Sequence, residues 1–260
     1  MAAKRKWAAF PHPAKAFGFA GEALKKNWDK LHRGDCEPFP KNPAAQEAWR
    51  LFHQGQFAQA VAVGLEAGGA GITAANKAQA IHANGVETRE PAKVAHFEEV
   101  MKRAQLQARE QPGNANAHYL YAYAAGRYSQ RISVAKALAQ GYGGRIRAAL
   151  DAALKLEPEH AEAHVALGAY HAEIIDKVGA LVGGLTYGAK KDAGEEHFRK
   201  ALKLTPDSPI AHIEMANGLV MMHGKNRVDE AGKLYAKAAG LKPRDAMEKI
   251  DVEAARAELE

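Results

Sequence analysis

Twelve histidines and one cysteine carry most of the side-chain chemistry open to this 260-residue chain. The densest group is "EPEHAEAH", where His160, Glu162 and His164 fall within five positions. A metal-binding H-E-x-x-H helix turns two imidazoles and a glutamate toward one ion. Here His160 precedes the helix, just after Pro158, and need not face His164. His118, His164 and His212 each stand six residues after a proline, at Pro112, Pro158 and Pro206. One shared position predicts bulk between packed helices, not a ligand set. His171, seven residues beyond His164 on the same helical face, reads the same way. Phosphate chemistry finds no support either. "GYGG" at 141–144 and "GLEAGGAGITAANKAQ" at 64–79 follow no strand, and neither contains G-x-x-x-x-G-K-[ST]. Gly143 and Gly144 predict a turn before a helix from Arg145, and Gly68, Gly69 and Gly71 a helix end. Cys36 has neither a CxxC partner nor a nearby base to make it a nucleophile. Serine occurs only at 129, 133 and 208, which leaves a Ser-His-Asp site few options. The expectation is a protein that is no enzyme and uses no metal or cofactor; the weaker alternative is a metal- or nucleotide-dependent enzyme.

Composition says what kind of elements must hold these residues. Alanine, the strongest helix former, is about a fifth of the chain. No segment alternates cleanly between polar and apolar side chains, so the expected fold class is all-α. The lone cysteine rules out an intrachain disulfide and points to a reducing cytoplasm. No run reaches the about 18 apolar residues of a membrane span. A secretory leader is not expected, because Pro11, Pro13 and Lys15 interrupt the apolar run it would need.

Net charge is +6, but residues 1–41 hold nine basic and four acidic side chains, and so five of the six excess charges. The basic character belongs to an N-terminal arm. A nucleic-acid-binding body would spread it over one face, so nucleic acid is not an expected partner. From about Ala14 to Leu31, Phe17, Ala20, Leu24, Trp28 and Leu31 recur at helical steps, which predicts one amphipathic helix. Gly34 then stops it, and Pro38, Pro40 and Pro43 make an extended linker to Asn42. Residues 1–43 are read as arm and linker, and 44–260 as a helical array. The arm is expected to cap that array. The alternative is weak contact of residues 1–33 with a membrane surface.

Internal repeats are the strongest organising signal. "NANAHYLYA", "AEAHVALGAY" and "SPIAHIEMANGL" share an Ala-His pair after a proline, and Pro112, Pro158, Pro206 and Pro243 lie 46, 48 and 37 residues apart. These residues resemble the tetratricopeptide repeat, a helix pair with small residues at the crossing and a closing proline. Leu167 and Gly168 fit its Leu-Gly positions, and Phe198, Ala201 and Pro206 its second helix. Ala231, Tyr235, Ala238 and Pro243 repeat that pattern. Gly55, Phe57, Ala60 and Ala67 fit it more loosely, so the repeats read best over 115–245. Enlarged repeats, with "RISVAKALAQGYGG" and "DKVGALVGGLTYGAKKDAG" as inserts, resemble the regulator-of-microtubule-dynamics family over about residues 95–245. That resemblance implies an adaptor and carries over no catalytic residue.

Projecting the repeat phase gives a concave face. It should present Asn116, Tyr119, Tyr123 and Arg127, then Glu162, Val165, Ala169 and Glu173, then Ile210, Ile213, Asn217 and Val220. Such a mixed face suits a peptide or helix of a protein partner, with Tyr119 and Tyr123 as anchors and Arg127 and Asn217 as donors. Part of it could instead be core under the arm or the inserts. Too few basic residues fall there for a clamp on acidic chaperone tails. The open ends of such an array also allow self-association.

Overall fold

A computed structural model describes residues 7–13 and 17–260, and among these the chain is all-α, with no strand. The arm holds one short helix, α1 (Ala23–Leu31). It is shorter than the predicted span from Ala14. Residues 18–20 are irregular and 21–22 form a turn, with Gly21 at φ 55, and 14–16 lie outside the described residues. Helix pairs follow: α2 (Pro43–His53) with α3 (Phe57–Ala67), then α4 (Gly71–Gly85) with α5 (Glu90–Glu110). The third pair is α6 (Ala115–Ile132) and, after the short α7 (Val134–Ala139), α8 (Tyr142–Leu156). The fourth is α9 (Ala161–Tyr187) with α10 (Lys191–Leu204), the fifth α11 (Pro209–His223) with α12 (Val228–Ala239). A final helix, α13 (Ala246–Leu259), closes the array. Complete pairs therefore exist over 43–110 as well. The sequence pattern is weak there because α4 is polar yet buried.

The same local chemistry starts most first helices. Asn42, Asn114, His160, Ser208 and Asp245 each accept a backbone N–H of the first turn ahead of α2, α6, α9, α11 and α13. The three repeat-phase histidines meet their own turns. His118, His164 and His212 reach the carbonyls of Pro112, Pro158 and Pro206 at 3.3, 3.1 and 3.0 Å. Each proline ends a helix, and the histidine six residues on ties the turn to the next one. The first insert is α7, and its turn is made by Gly141 at φ 76, so Gly143 and Gly144 lie inside α8 and not before it. The second insert continues α9 through a break at Gly179, whose φ of 79 favours glycine.

Packing follows from small residues at the crossings. A Cβ on Gly168 would sit 2.8 Å from the ring of Phe198, and Gly218 presses on that ring from the next pair. One phenylalanine thus locks three consecutive helices, α9, α10 and α11. The main core runs through α5, α6, α8, α9, α10 and α11. A second core joins the arm to α2, α3 and α4, with Phe17, Leu24 and Trp28 against Trp49, Phe52 and Phe57. The arm's apolar stripe is therefore buried by its own chain. The exposed residues of α1 are Lys25, Lys26, Asp29 and Lys30, all charged, which removes the apolar half of the membrane reading. No described helix is long and apolar enough to cross a membrane.

Candidate functional site

Helices α2, α4, α6, α9 and α11 line the inner face, and α13 crosses it to touch α2 and α4. The face has two halves. In the first, residues 32–37 lie on it as a turned strap, its Cys36 N–H donating to the His32 carbonyl at 2.8 Å. The Asn116 side chain donates to the Asp35 backbone carbonyl at 2.9 Å, and the Glu162 N–H donates to the Gly34 carbonyl at 2.9 Å. Trp28 Nε1 donates to the Glu37 carbonyl at 2.7 Å. The strap's acidic side chains are held too. Lys77 Nζ of α4 lies 2.5 Å from Asp35 and 2.8 Å from Glu162. His32 Nδ1 stands 2.9 Å from Asp35, His32 Nε2 3.1 Å from His53 Nε2, and His53 Nδ1 2.7 Å from Asp245 of α13.

This network is almost dry, and its protonation follows from that. Burial alone would lift the Asp35 carboxyl, but Lys77 and His32 overcome it and hold it far below the usual carboxylate range. Burial also opposes the Lys77 charge, yet Asp35 and Glu162 raise its pKa above the ordinary value. Glu37 has no cation in contact. Burial and the nearby Asp35 charge push it up to about 8. His160 is wholly buried and drops to about 3, and its Nε2 meets Asn116 at 2.9 Å. Burial first, then Glu157 and Asp35, push the Cys36 thiol up to about 12, which leaves it unreactive as a nucleophile.

The second half is open. Helices α6 and α9 barely touch, and a cleft of about 140 Å³ passes between them down to Ile146 and Leu150 of α8. Its walls are Ala122, Gly126, Val165, Ala166 and Ala169, with four tyrosines: Tyr119, Tyr123, Tyr142 and Tyr170. Val134, Ala137 and Leu138 of α7 bound one end, and Met247, Ile250 and Asp251 of α13 the other. Arg127 pairs with Glu214 at 2.5 Å and lies over the Tyr123 ring, 5.4 Å from its centre. Gln130 donates to Glu173 at 2.8 Å.

The chain shares this architecture with a thermophilic TPR protein of Thermus thermophilus. The TM-score is 0.56 at 19% identity, and 82% of this chain and 99% of that one are covered. The fold is TPR-like. No protein-family profile and no curated protein matches the chain.

In this TPR-like array, eight of the twelve residues projected from sequence fall together. Tyr119, Tyr123, Arg127, Glu162, Val165, Glu173 and Ile210 all line the cleft, as does Ala169. Tyr119 is only 6% exposed, and its hydroxyl bonds Glu162, so it is as much core as surface. Asn116 is not open to a partner, because the strap takes its side chain. Ile213 packs with Ala238 and Ala255. Asn217 accepts the Tyr235 hydroxyl of α12 through its amide oxygen at 2.7 Å and lies outside the cleft. Val220 lies outside the cleft. The histidines of "EPEHAEAH" diverge: His160 caps α9, Glu162 meets Lys77, and His164 meets His197 at 2.9 Å. His171 accepts the Lys190 N–H at 3.2 Å. Among the described residues, no group of three or more His, Cys, Asp or Glu is placed to hold a metal ion.

The strap network was missed from sequence. Its one signal was Lys77, set among Ala74, Ala75, Ala78 and Ala80 on a helix where eleven of fifteen residues are buried. A lysine so placed needs buried carboxylates.

Proposed function

We propose that this protein is a non-enzymatic adaptor that binds a segment of a protein partner in the cleft between α6 and α9. One observation carries the reading. The inner face is closed by the chain's own strap in one half and left open in the other, where tyrosines and a fixed Arg127–Glu214 pair surround apolar walls. Aromatic and arginine side chains around a desolvated slot are what interface anchors use. The resemblance of the enlarged repeats to the regulator-of-microtubule-dynamics family supports the same role. The lone cysteine, with its raised pKa, suits a reducing cytoplasm.

The strap supports the reading from inside the molecule. Asn116 and the Glu162 N–H hold the turn at Gly34 and Asp35 by its main-chain carbonyls, so this face already takes a segment of its own chain. Affinity purification from the native cell tests the proposal. The variant to compare is Gly126→Leu, because a Cβ on Gly126 meets open space and the added side chain fills the cleft. Proteins retained by the wild type should be lost with Gly126→Leu. Equal recovery with both would reject the cleft as the binding site. The double truncation of Tyr119 and Tyr123 is a poorer test, since Tyr119 belongs to the core.

A further inference from the structure

We infer that the cleft takes a lysine or arginine side chain of the partner segment, with its aliphatic stem in the slot between α6 and α9 and its charged head against Asp251 of α13. This rests on the reading of the cleft as a protein-binding groove and names what that groove selects.

The charges of the cleft are unequal. Four carboxylates line it, on Glu162, Glu173, Glu214 and Asp251, against one cation, Arg127. Three of the four are answered within the chain. Glu162 has Lys77, Glu214 has Arg127, and Glu173 accepts from Gln130. Asp251 has neither a hydrogen bond nor an ion pair among the described residues. Burial, with the carboxylates of Glu248, Asp245, Glu162 and Glu214, holds its pKa well above the ordinary value. None of the groups that act most strongly on it is a cation. A carboxylate left in that state is costly to the free protein, and an incoming cation relieves the cost. An anionic or acidic segment would meet the same carboxylates and be repelled.

The walls specify the rest of the occupant. Ala122, Gly126, Val165 and Ala169 offer no polar side-chain atom, so they suit methylenes. A cavity of this order admits a group about the size of benzene, which is one long side chain and not a helix. Lysine and arginine combine both demands, an apolar stem that packs and a head that pairs. Tyr123 cannot serve as the first cation site, because Arg127 already covers its ring.

A phage-displayed library of random dodecapeptides, panned on the full-length protein, tests this. Gly126→Leu and Asp251→Asn serve as parallel targets, each checked for native helix content by circular dichroism. Both are expected to fold, since one fills open space and the other removes an unpaired charge. Wild type should enrich peptides with Lys or Arg beside a large aliphatic residue. On Asp251→Asn the aliphatic preference should remain and the basic one disappear. A selected peptide should lose about tenfold or more in affinity when its basic residue becomes methionine, or when Asp251 becomes Asn. Peptides enriched on wild type but not on Gly126→Leu, without a basic residue, would overturn the inference and leave the groove standing. So would a basic preference unchanged on Asp251→Asn. No enrichment over Gly126→Leu would overturn both.

Discussion

The two halves of the inner face are built from equivalent helices and solve opposite problems. Around Lys77, the carboxylates of Asp35 and Glu162 both find a cation, and the chain supplies its own turned segment to the network. Around Asp251, the charge is left alone, and the neighbouring helices stand apart. The first arrangement is expected to hold the arm and α13 onto the array. The second keeps interaction energy in reserve for something that is not part of the chain. The difference teaches that the repeat architecture does not by itself decide what is a site. What decides is whether the inner-face polar groups are already satisfied from within.

The sharpest way to break this contrast is to remove the cation of the closed half. Lys77→Met should leave Glu162 buried without a cation and Asp35 with His32 alone. It should lower unfolding free energy by about 3–5 kcal/mol in urea titrations. A loss under about 1 kcal/mol would mean the network does little for the fold. Next in size is Glu37→Gln. The Glu37 pKa is raised to about 8 from 4.5, so its ionisation costs stability as pH climbs through that window and costs nothing below it. The variant should match wild type at pH 4 and exceed it above pH 8, by on the order of 2–4 kcal/mol. Equal pH profiles would contradict the assignment.

The open half should respond with the opposite sign to loss of a charge. Asp251→Asn should raise Tm by about 2–4 °C, the shift that about 1 kcal/mol gives at this chain length. The gain should vanish below pH 3.8, where the unfolded carboxyl is also protonated, and grow as pH rises above it. A lower Tm would show that Asp251 is already paired in the free protein. Smallest is Gly126→Ala, which should add about 0.5–1 kcal/mol by helix propensity alone, with open space beyond the new methyl. A loss instead would show that the cleft wall is already close-packed.

Much of the architecture was legible in the sequence, for physical reasons. Pro112, Pro158 and Pro206 mark where helices must end, and the histidine six residues later marks one fixed contact. Gly168 and Phe198 announced a close crossing, and the structure puts one against the other. The cleft residues were legible because repeat phase alone sets which side chains of α6 and α9 turn inward. The strap was not. Residues 32–42 have linker composition, and nothing local shows that Asp35 and Glu37 will be drawn onto Lys77 and Asn116, 42 and 79 residues away. Asp251 was also out of reach, because α13 lies beyond the repeats and its place on the inner face is a tertiary fact. Asn116, Ile213 and Asn217 sit in the inward phase, but the strap takes Asn116, Ile213 packs on α12 and α13, and Tyr235 of α12 meets Asn217; phase cannot report such contacts.

Site-specific photo-crosslinking in the native cell tests the division of the inner face most directly. A benzophenone side chain is placed at Gln130 on the cleft or, separately, at Phe39 beside the strap. The account expects a protein adduct from position 130 that Gly126→Leu abolishes, and none from position 39. Adducts from position 39 alone, or from position 130 regardless of Gly126→Leu, would contradict it.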